Sequence, residues 1–194
     1  MPVRDHAMKI LVYGSRLFGG VIQCLIEDCG HEFAGFIDDM YEGKGVIGPF
    51  EQVRLTHPPS GYGCVNAVGY SNLAARREVT SRIQSAGYAM PALVHPRAYV
   101  STQSSIGPGS FVMAGALVDC HVTVGDAVVI WPGVCVSHDC RIGANTFLSP
   151  NCTICGDCQV GCDCFVGAGA VVVSHAVVPD ASRIKALERY VTRR

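Results

Sequence analysis

Three groups of residues in this 194-residue chain have types and spacing suited to chemistry. The first is His138-Asp139, an imidazole followed by a carboxylate that can orient it and stabilise its protonated form, as a general base working near neutral pH requires. The second is the run Gly14-Ser15-Arg16-Leu17-Phe18-Gly19-Gly20, with Asp38 and Asp39 downstream. A glycine turn that opens a helix can bring backbone amides and the helix N-terminus to a phosphate, with Arg16 adding charge; the acidic pair can accept from a ribose or a base. The third is the eleven cysteines, among which CTICGDC (Cys152, Cys155, Cys158) holds two overlapping C-x-x-C pairs that invite a metal. Each group has a plain alternative: a solvated or interface histidine, a tight turn, a solvated strand cap, and thiols packed as small hydrophobes.

Composition narrows the setting for this chemistry. A hydrophobic fraction of 49% is ample for a packed core, which argues against disorder. A net charge of −1 gives no reason to expect nucleic acid or an anionic membrane as partner. No apolar run approaches the roughly 18 residues that span a bilayer, and MPVRDHAMKI lacks the apolar stretch of a signal peptide. A reducing, cytoplasmic compartment is expected, so a disulfide scaffold is disfavoured and metal, redox chemistry or packing must account for the cysteines.

The residues before about position 92 predict a small parallel α/β sheet. MKILVYG reads as a strand ending at Gly14, VIQCLIEDCG as an amphipathic helix, EFAGFIDD and GCVNAVGY as further strands, and SNLAARREVTSRIQSAG as a helix capped by Ser71. In such sheets ligands sit at the carboxyl ends of the strands, where Gly14, Asp38 and Gly69 fall.

The rest of the chain is a repeat. Every sixth residue from Val100 to Val178 is Val, Ile or Leu, and a small or modest side chain follows four residues after each, as in Ser104, Ala116, Cys140, Cys152, Cys158 and Cys164. Neither a helix nor a free strand has this period. Units of six, three to a coil, predict a parallel β-helix of four to five coils whose flat faces are covered by association, commonly about a threefold axis. The register turns Cys152 and Cys158 inward and Cys155 outward, so the three do not converge on a metal. A spacing of 18 stacks residues between coils: His138 lies between Cys120 and Gly156 in one column, and His121, Asp139, Asp157 and His175 form the next.

The segments HPRAYVSTQSSIGPGSFV and VSHDCRIGANTFLSPNCTICGDCQVGCDCFVGAGAVVV, together with MKILVYGSRLFGG and FAGFIDD, resemble the NeuD/PglD-type hexapeptide-repeat sugar acetyltransferases over nearly the whole chain. The resemblance implies a Rossmann-like nucleotide-sugar-binding α/β domain over 1–92 and a left-handed β-helix acyltransferase domain over 93–179; the sequence of 180–194 itself reads as a short basic helix capped near Ser182. The resemblance also implies a homotrimer that takes acetyl-CoA between neighbouring prisms, needs no metal, and acetylates the amino group of a nucleotide-linked amino sugar in polysaccharide biosynthesis. Carried over residue by residue, His138 is the general base, Asp139 orients it, and the Gly156 amide donates to the thioester oxygen. Gly14, Ser15 and Arg16 form the phosphate-facing loop, and Asp38 and Asp39 lie near the nucleoside.

Two departures stand out. Phe147 occupies the coenzyme-binding position, nine residues after the base, where many members carry a second histidine. VVPDASRIKALERYVTRR replaces the usual Gly-x-Pro-Ala ending, leaving Arg183, Lys185, Arg189, Arg193 and Arg194 to face coenzyme phosphates or solvent. The competing functions are O-acetylation of a sialic-acid-type sugar, a non-catalytic nucleotide-sugar binder, and a metal protein. The last would hold its metal either on cysteines or on three histidines converging at an interface, and for the second His121, His138 and His175 are spread over too many coils.

Overall fold

The structure is a computed structural model and describes residues 7–192. The chain divides into two compact units, the first ending at Pro91 and the second beginning at Ala92, one residue from the expected boundary.

In the first unit, β1 (Lys9–Tyr13), β2 (Glu32–Ile37), β3 (Val46–Gly48) and β4 (Gly63–Asn66) form a parallel sheet in the order β3-β2-β1-β4. The apolar run of β1 is buried from Ile10 onward, as befits a central strand covered on both faces. Helix α1 (Leu17–Asp28) buries Ile22, Leu25 and Ile26. Gly14, at φ +110°, makes the turn between β1 and α1, and a Cβ on Gly19 would stand 2.1 Å from the Gly14 carbonyl oxygen, so both glycines serve the close approach of helix to turn.

Strand β3 and helix α2 (Phe50–Thr56) were not anticipated; at three and seven residues they are too short to show a period. Helix α3 (Leu73–Ser85) begins two residues later than expected. A 3-10 turn occupies Tyr70–Asn72, and the cap is Asn72, whose side chain accepts from the Ala75 N–H at 2.9 Å, rather than Ser71.

The second unit is a parallel β-helix of two-residue strands in three sheets of five, six and six strands, with each strand paired to those 18 residues away. Its inward aliphatic column runs at least from Val112 to Ile184, with Val94, Val100, Ile106 and Tyr190 packed against it. The register therefore extends past both ends of the run seen in the sequence and gives more than five coils. The helix expected over 180–194 is absent among the described residues. Arg183–Ile184 and Arg189–Tyr190 are strands that pair with Phe165–Val166 and Val171–Val172, because Ile184 and Tyr190 prolong the six-residue register; Arg193 and Arg194 lie outside the described residues. The Arg183 guanidinium lies 5.0 Å from the centre of the Phe165 ring.

Two further six-residue registers make the coils close. One holds a left-handed residue at each corner: Gly109, Gly115, His121, Ala127, Gly133, Asp139, Asn145, Asn151, Asp157, Asp163, Gly169, His175, Ala181 and Leu187 all have positive φ. Gly, Asn and Asp dominate because they adopt this conformation at least cost. The other is the small inward position. Cys140, Cys152, Cys158 and Cys164 are fully buried there. The Sγ–H of Cys140, Cys158 and Cys164 donates to the carbonyl fifteen residues on, at 3.1, 3.2 and 3.1 Å, as the hydroxyls of Ser104, Ser110 and Thr146 do at 2.5, 2.9 and 2.9 Å. These thiols thus tie one coil to the next as well as filling space. No described helix is long and apolar enough to cross a membrane.

Candidate functional site

Strand Cys135–Val136 is held between Leu117–Val118 and Thr153–Ile154. After the inward Val136, the chain turns the corner through Ser137 and His138 into Asp139, whose φ of 59° reverses its direction. That turn brings the Asp139 carboxylate back to the preceding ring, with Nδ1 of His138 2.8 Å from Oδ2 of Asp139. The hydrogen bond to Asp139 raises the His138 pKa above the ordinary histidine value; partial desolvation opposes it, and the charges of Asp139, Asp119 and Asp157 add to it. With Nδ1–H donated to the carboxylate, the neutral ring carries its free lone pair on Nε2.

Gly156 stands one coil further on. A Cβ there would lie 2.7 Å from both Cε1 and Nε2 of His138, so the imidazole lies directly on the Gly156 backbone. The Gly156 N–H donates to no group within the described chain. The corner is knit by backbone hydrogen bonds from Asp139 N to Cys120 O (3.1 Å), Asp157 N to His138 O (3.0 Å) and His175 N to Gly156 O (3.1 Å). A base and an unused amide are therefore fixed side by side on a braced edge, as acyl transfer to a nucleophile demands. The same edge carries a second pair, His175 Nδ1 and Asp157 Oδ2, at 2.9 Å.

Phe147 does not join this corner. It is only 3% exposed, its ring lying between Trp131 (centroids 6.0 Å apart) and Phe165 (6.2 Å), so its expected coenzyme contact has no free surface within the chain. Cys152 and Cys158 are inside the prism and Cys155 is half-exposed, which keeps the C-x-x-C pairs apart. Among the described residues, no three His, Cys, Asp or Glu side chains gather as a metal site.

In the first unit, Gly14, Ser15, Arg16 and Asp38 come together at the carboxyl ends of β1 and β2. Ser15 donates through its N–H (3.0 Å) and hydroxyl (2.6 Å) to one Asp38 oxygen; the N–H groups of Met40 and Tyr41 donate to the other, both at 3.0 Å. Burial raises the Asp38 pKa, but these four bonds outweigh it and hold the carboxyl below its usual range. Arg16 lies 4.4 Å from the centre of the Tyr41 ring. Residues 38–43, 46–49 and Gln52 line an open cavity of about 490 Å³ beside this turn.

Asp39 lines the same cavity but holds a different set of donors. It accepts from the Tyr13 hydroxyl (2.5 Å), Arg82 (2.6 Å) and the Phe50 N–H (2.8 Å), and Arg82 also reaches Glu51 at 2.9 Å. Of the expected acidic pair, Asp38 latches the glycine turn and Asp39 ties β1, α2 and α3 together, so both carboxylates already hold protein donors. Tyr13 and Arg82 were not anticipated, since no local spacing joins residues 13, 39, 51 and 82. The Asp157–His175 contact was legible as a column in the repeat but not as a bonded pair.

Residues 121–156 match the family described as Bacterial transferase hexapeptide (six repeats). The second unit is a parallel β-helix of hexapeptide repeats. The hexapeptide chain is similar to the acetyltransferase domain of PglB from Neisseria gonorrhoeae FA1090, at 29% identity over 92% of this chain and 88% of that one, with a TM-score of 0.84. Against the same domain in complex with acetyl coenzyme A, the values are 27% identity, 95% and 91% coverage, and a TM-score of 0.85. PerB from Caulobacter crescentus, in complex with CoA and GDP-perosamine, shares the fold at 24% identity, 92% and 94% coverage and a TM-score of 0.76. No curated protein sequence matches the chain. The resemblance to NeuD/PglD-type sugar acetyltransferases, and the left-handed β-helix behind a small α/β unit that it implied, are borne out by these likenesses.

Proposed function

We propose that this hexapeptide chain is an acetyl-CoA-dependent acetyltransferase acting on the amino group of a nucleotide-linked amino sugar. The observation that carries the reading is the His138 ring, held by Asp139 and lying on Gly156. Likeness across nearly the full chain to an acetyltransferase domain that binds acetyl coenzyme A supports it.

In this reading, the thioester carbonyl sits over Gly156 and accepts from its N–H, which stabilises the oxyanion as it develops. The sugar amine attacks that carbon, Nε2 of His138 takes the amine proton, and Asp139 balances the imidazolium that forms. Collapse of the tetrahedral intermediate breaks the C–S bond, and the departing CoA sulfur regains a proton. The first unit would hold the nucleotide through the N–H and side chain of Arg16 at the start of α1, the Gly14 and Ser15 N–H groups being donated to Ile37 and Asp38, with Asp38 keeping the turn in place.

A homotrimer fits the outer face of one sheet, where Tyr99, Leu117 and Val171 lie in one column, the last two separated by Cys135 and Thr153, and are 58%, 39% and 37% exposed. A cytoplasmic setting fits the eleven cysteines, none of which forms a disulfide.

The test is a melting-temperature screen of nucleotide sugars with and without acetyl-CoA, followed by CoA-thiol release and product analysis for each stabilising sugar. Stabilisation by both ligands and an N-acetylated product are expected. A sugar O-acetylated instead would transfer the mechanism to a hydroxyl, and a protein that binds nucleotide sugars but not acetyl-CoA would overturn the reading.

A further inference from the structure

The Asp157–His175 pair takes no part in the mechanism above, although it stands on the same edge as the base. His175 occupies the left-handed corner of the coil beyond Gly156, its N–H donating to the Gly156 carbonyl at 3.1 Å. Its side chain is 78% exposed, and Nδ1 is engaged by Asp157 at 2.9 Å. As in the His138 pair, a carboxylate on Nδ1 leaves Nε2 of the neutral ring as a free acceptor facing outward from the corner. No described chain group uses it.

Resting on the acetyltransferase reading, the course of the donor along this edge follows from what is already filled. A thioester carbonyl on the Gly156 amide has the His138 ring on the side of the preceding coil. The coenzyme arm therefore leaves toward the following coil, that of Ser174 and His175. Coils are about 4.8 Å apart. In acetyl-CoA the sulfur is joined through two methylenes to an amide nitrogen, a link that spans about 4 Å. The first amide N–H of the arm thus reaches the level of His175.

We infer that His175, oriented by Asp157, is a second coenzyme-binding residue whose Nε2 accepts a hydrogen bond from the first amide N–H of the pantetheine arm. Asp157 is then a positioning residue. The partner is a secondary amide at fixed distance from a thioester, which sets this contact apart from recognition of a sugar hydroxyl or a phosphate.

The test uses His175→Asn and Asp157→Asn, because asparagine tolerates the left-handed φ of 65° and 55° at these corners and keeps the coil intact. Affinity for CoA is measured by calorimetry, and steady-state rates are measured with acetyl-CoA and with S-acetyl-N-acetylcysteamine, a short donor that keeps only the assigned amide. For His175→Asn, the expected result is weaker CoA binding and a KM for either donor raised about three- to tenfold, with KM for the nucleotide sugar as in the wild type. Asp157→Asn should give a smaller change in the same direction. Unchanged CoA affinity, a loss confined to acetyl-CoA and absent with the short donor, or a shift in the sugar KM instead would each overturn the assignment while leaving the acetyltransferase reading standing. Failure of the wild-type protein to bind CoA would overturn both.

Discussion

The imidazole of His138 occupies the space that any side chain at position 156 would fill: a Cβ on Gly156 would meet Cε1 and Nε2 at 2.7 Å. Glycine is needed there for the neighbouring ring and for access to its own amide. Its φ is not in the left-handed range, so the backbone itself would accept another residue. Gly156→Ala should therefore fold with a melting temperature close to the wild type but displace the ring and cover the amide. A displacement of this size lowers kcat/KM by about 100-fold. Paired thermal melts and steady-state rates check this; a fully active alanine variant would show that the contact is incidental.

The Asp139 carboxylate raises the His138 pKa, and the base works only when neutral, so the sign of the pH dependence follows. Activity should climb as pH rises through the His138 pKa, with an acid limb above the ordinary value of about 6.5. Asp139→Asn keeps a residue suited to φ 59° but removes the charge. Its limb should move to lower pH, and turnover should fall roughly 10- to 100-fold because the ring loses its anchor. A kcat/KM pH profile of the two proteins measures both effects.

Asp38 is expected to act through Ser15 and the Met40 and Tyr41 amides rather than on a ligand directly. Asp38→Ala should free the glycine turn, raise KM for the nucleotide sugar several-fold and leave CoA affinity unchanged in calorimetry. Loss of these partly exposed bonds should lower the melting temperature by about 2–4 °C.

The inward thiols of Cys140, Cys158 and Cys164 use the same carbonyl contact as serine and threonine elsewhere in the register. Cys140→Ser should keep the donor and stay within about 1 kcal/mol of the wild type, whereas Cys140→Ala leaves the Cys155 carbonyl without it and should cost about 1–2 kcal/mol. Denaturant unfolding of the two variants decides whether the thiol acts as a donor or only as filler; equal stability would favour filler.

Much of this molecule was legible because a solenoid writes its geometry into sequence as a fixed period. The six-residue column tells which cysteines point inward, and the spacing of 18 sets Gly156 beside His138. The same register, followed past Val178 to Ile184 and Tyr190, contains the reason that the last described residues form coil rather than helix; their basic side chains suggested a helix face, and the local pattern of charge concealed the period. The left-handed corner column was equally available, but its residues vary from Gly to Leu, so conformation unites them where side-chain chemistry does not.

The α/β unit was less readable. The Tyr13–Asp39–Arg82–Glu51 network joins residues far apart in sequence through tertiary packing, and an acidic pair at a strand end looks the same whether it faces a ligand or, as here, the protein. Phe147 was placed by its spacing from the base, but in a triangular coil nine residues lead to another sheet and into a buried aromatic row.

The role of His138 as the base for acetyl transfer is tested by single-turnover transfer from acetyl-CoA to a nucleotide amino sugar by the wild-type and His138→Ala proteins, both shown by calorimetry to bind CoA. A loss of about 10²- to 10⁴-fold is expected in the alanine variant, with its melting temperature and oligomeric state unchanged. Transfer by His138→Ala at the wild-type rate would contradict that role.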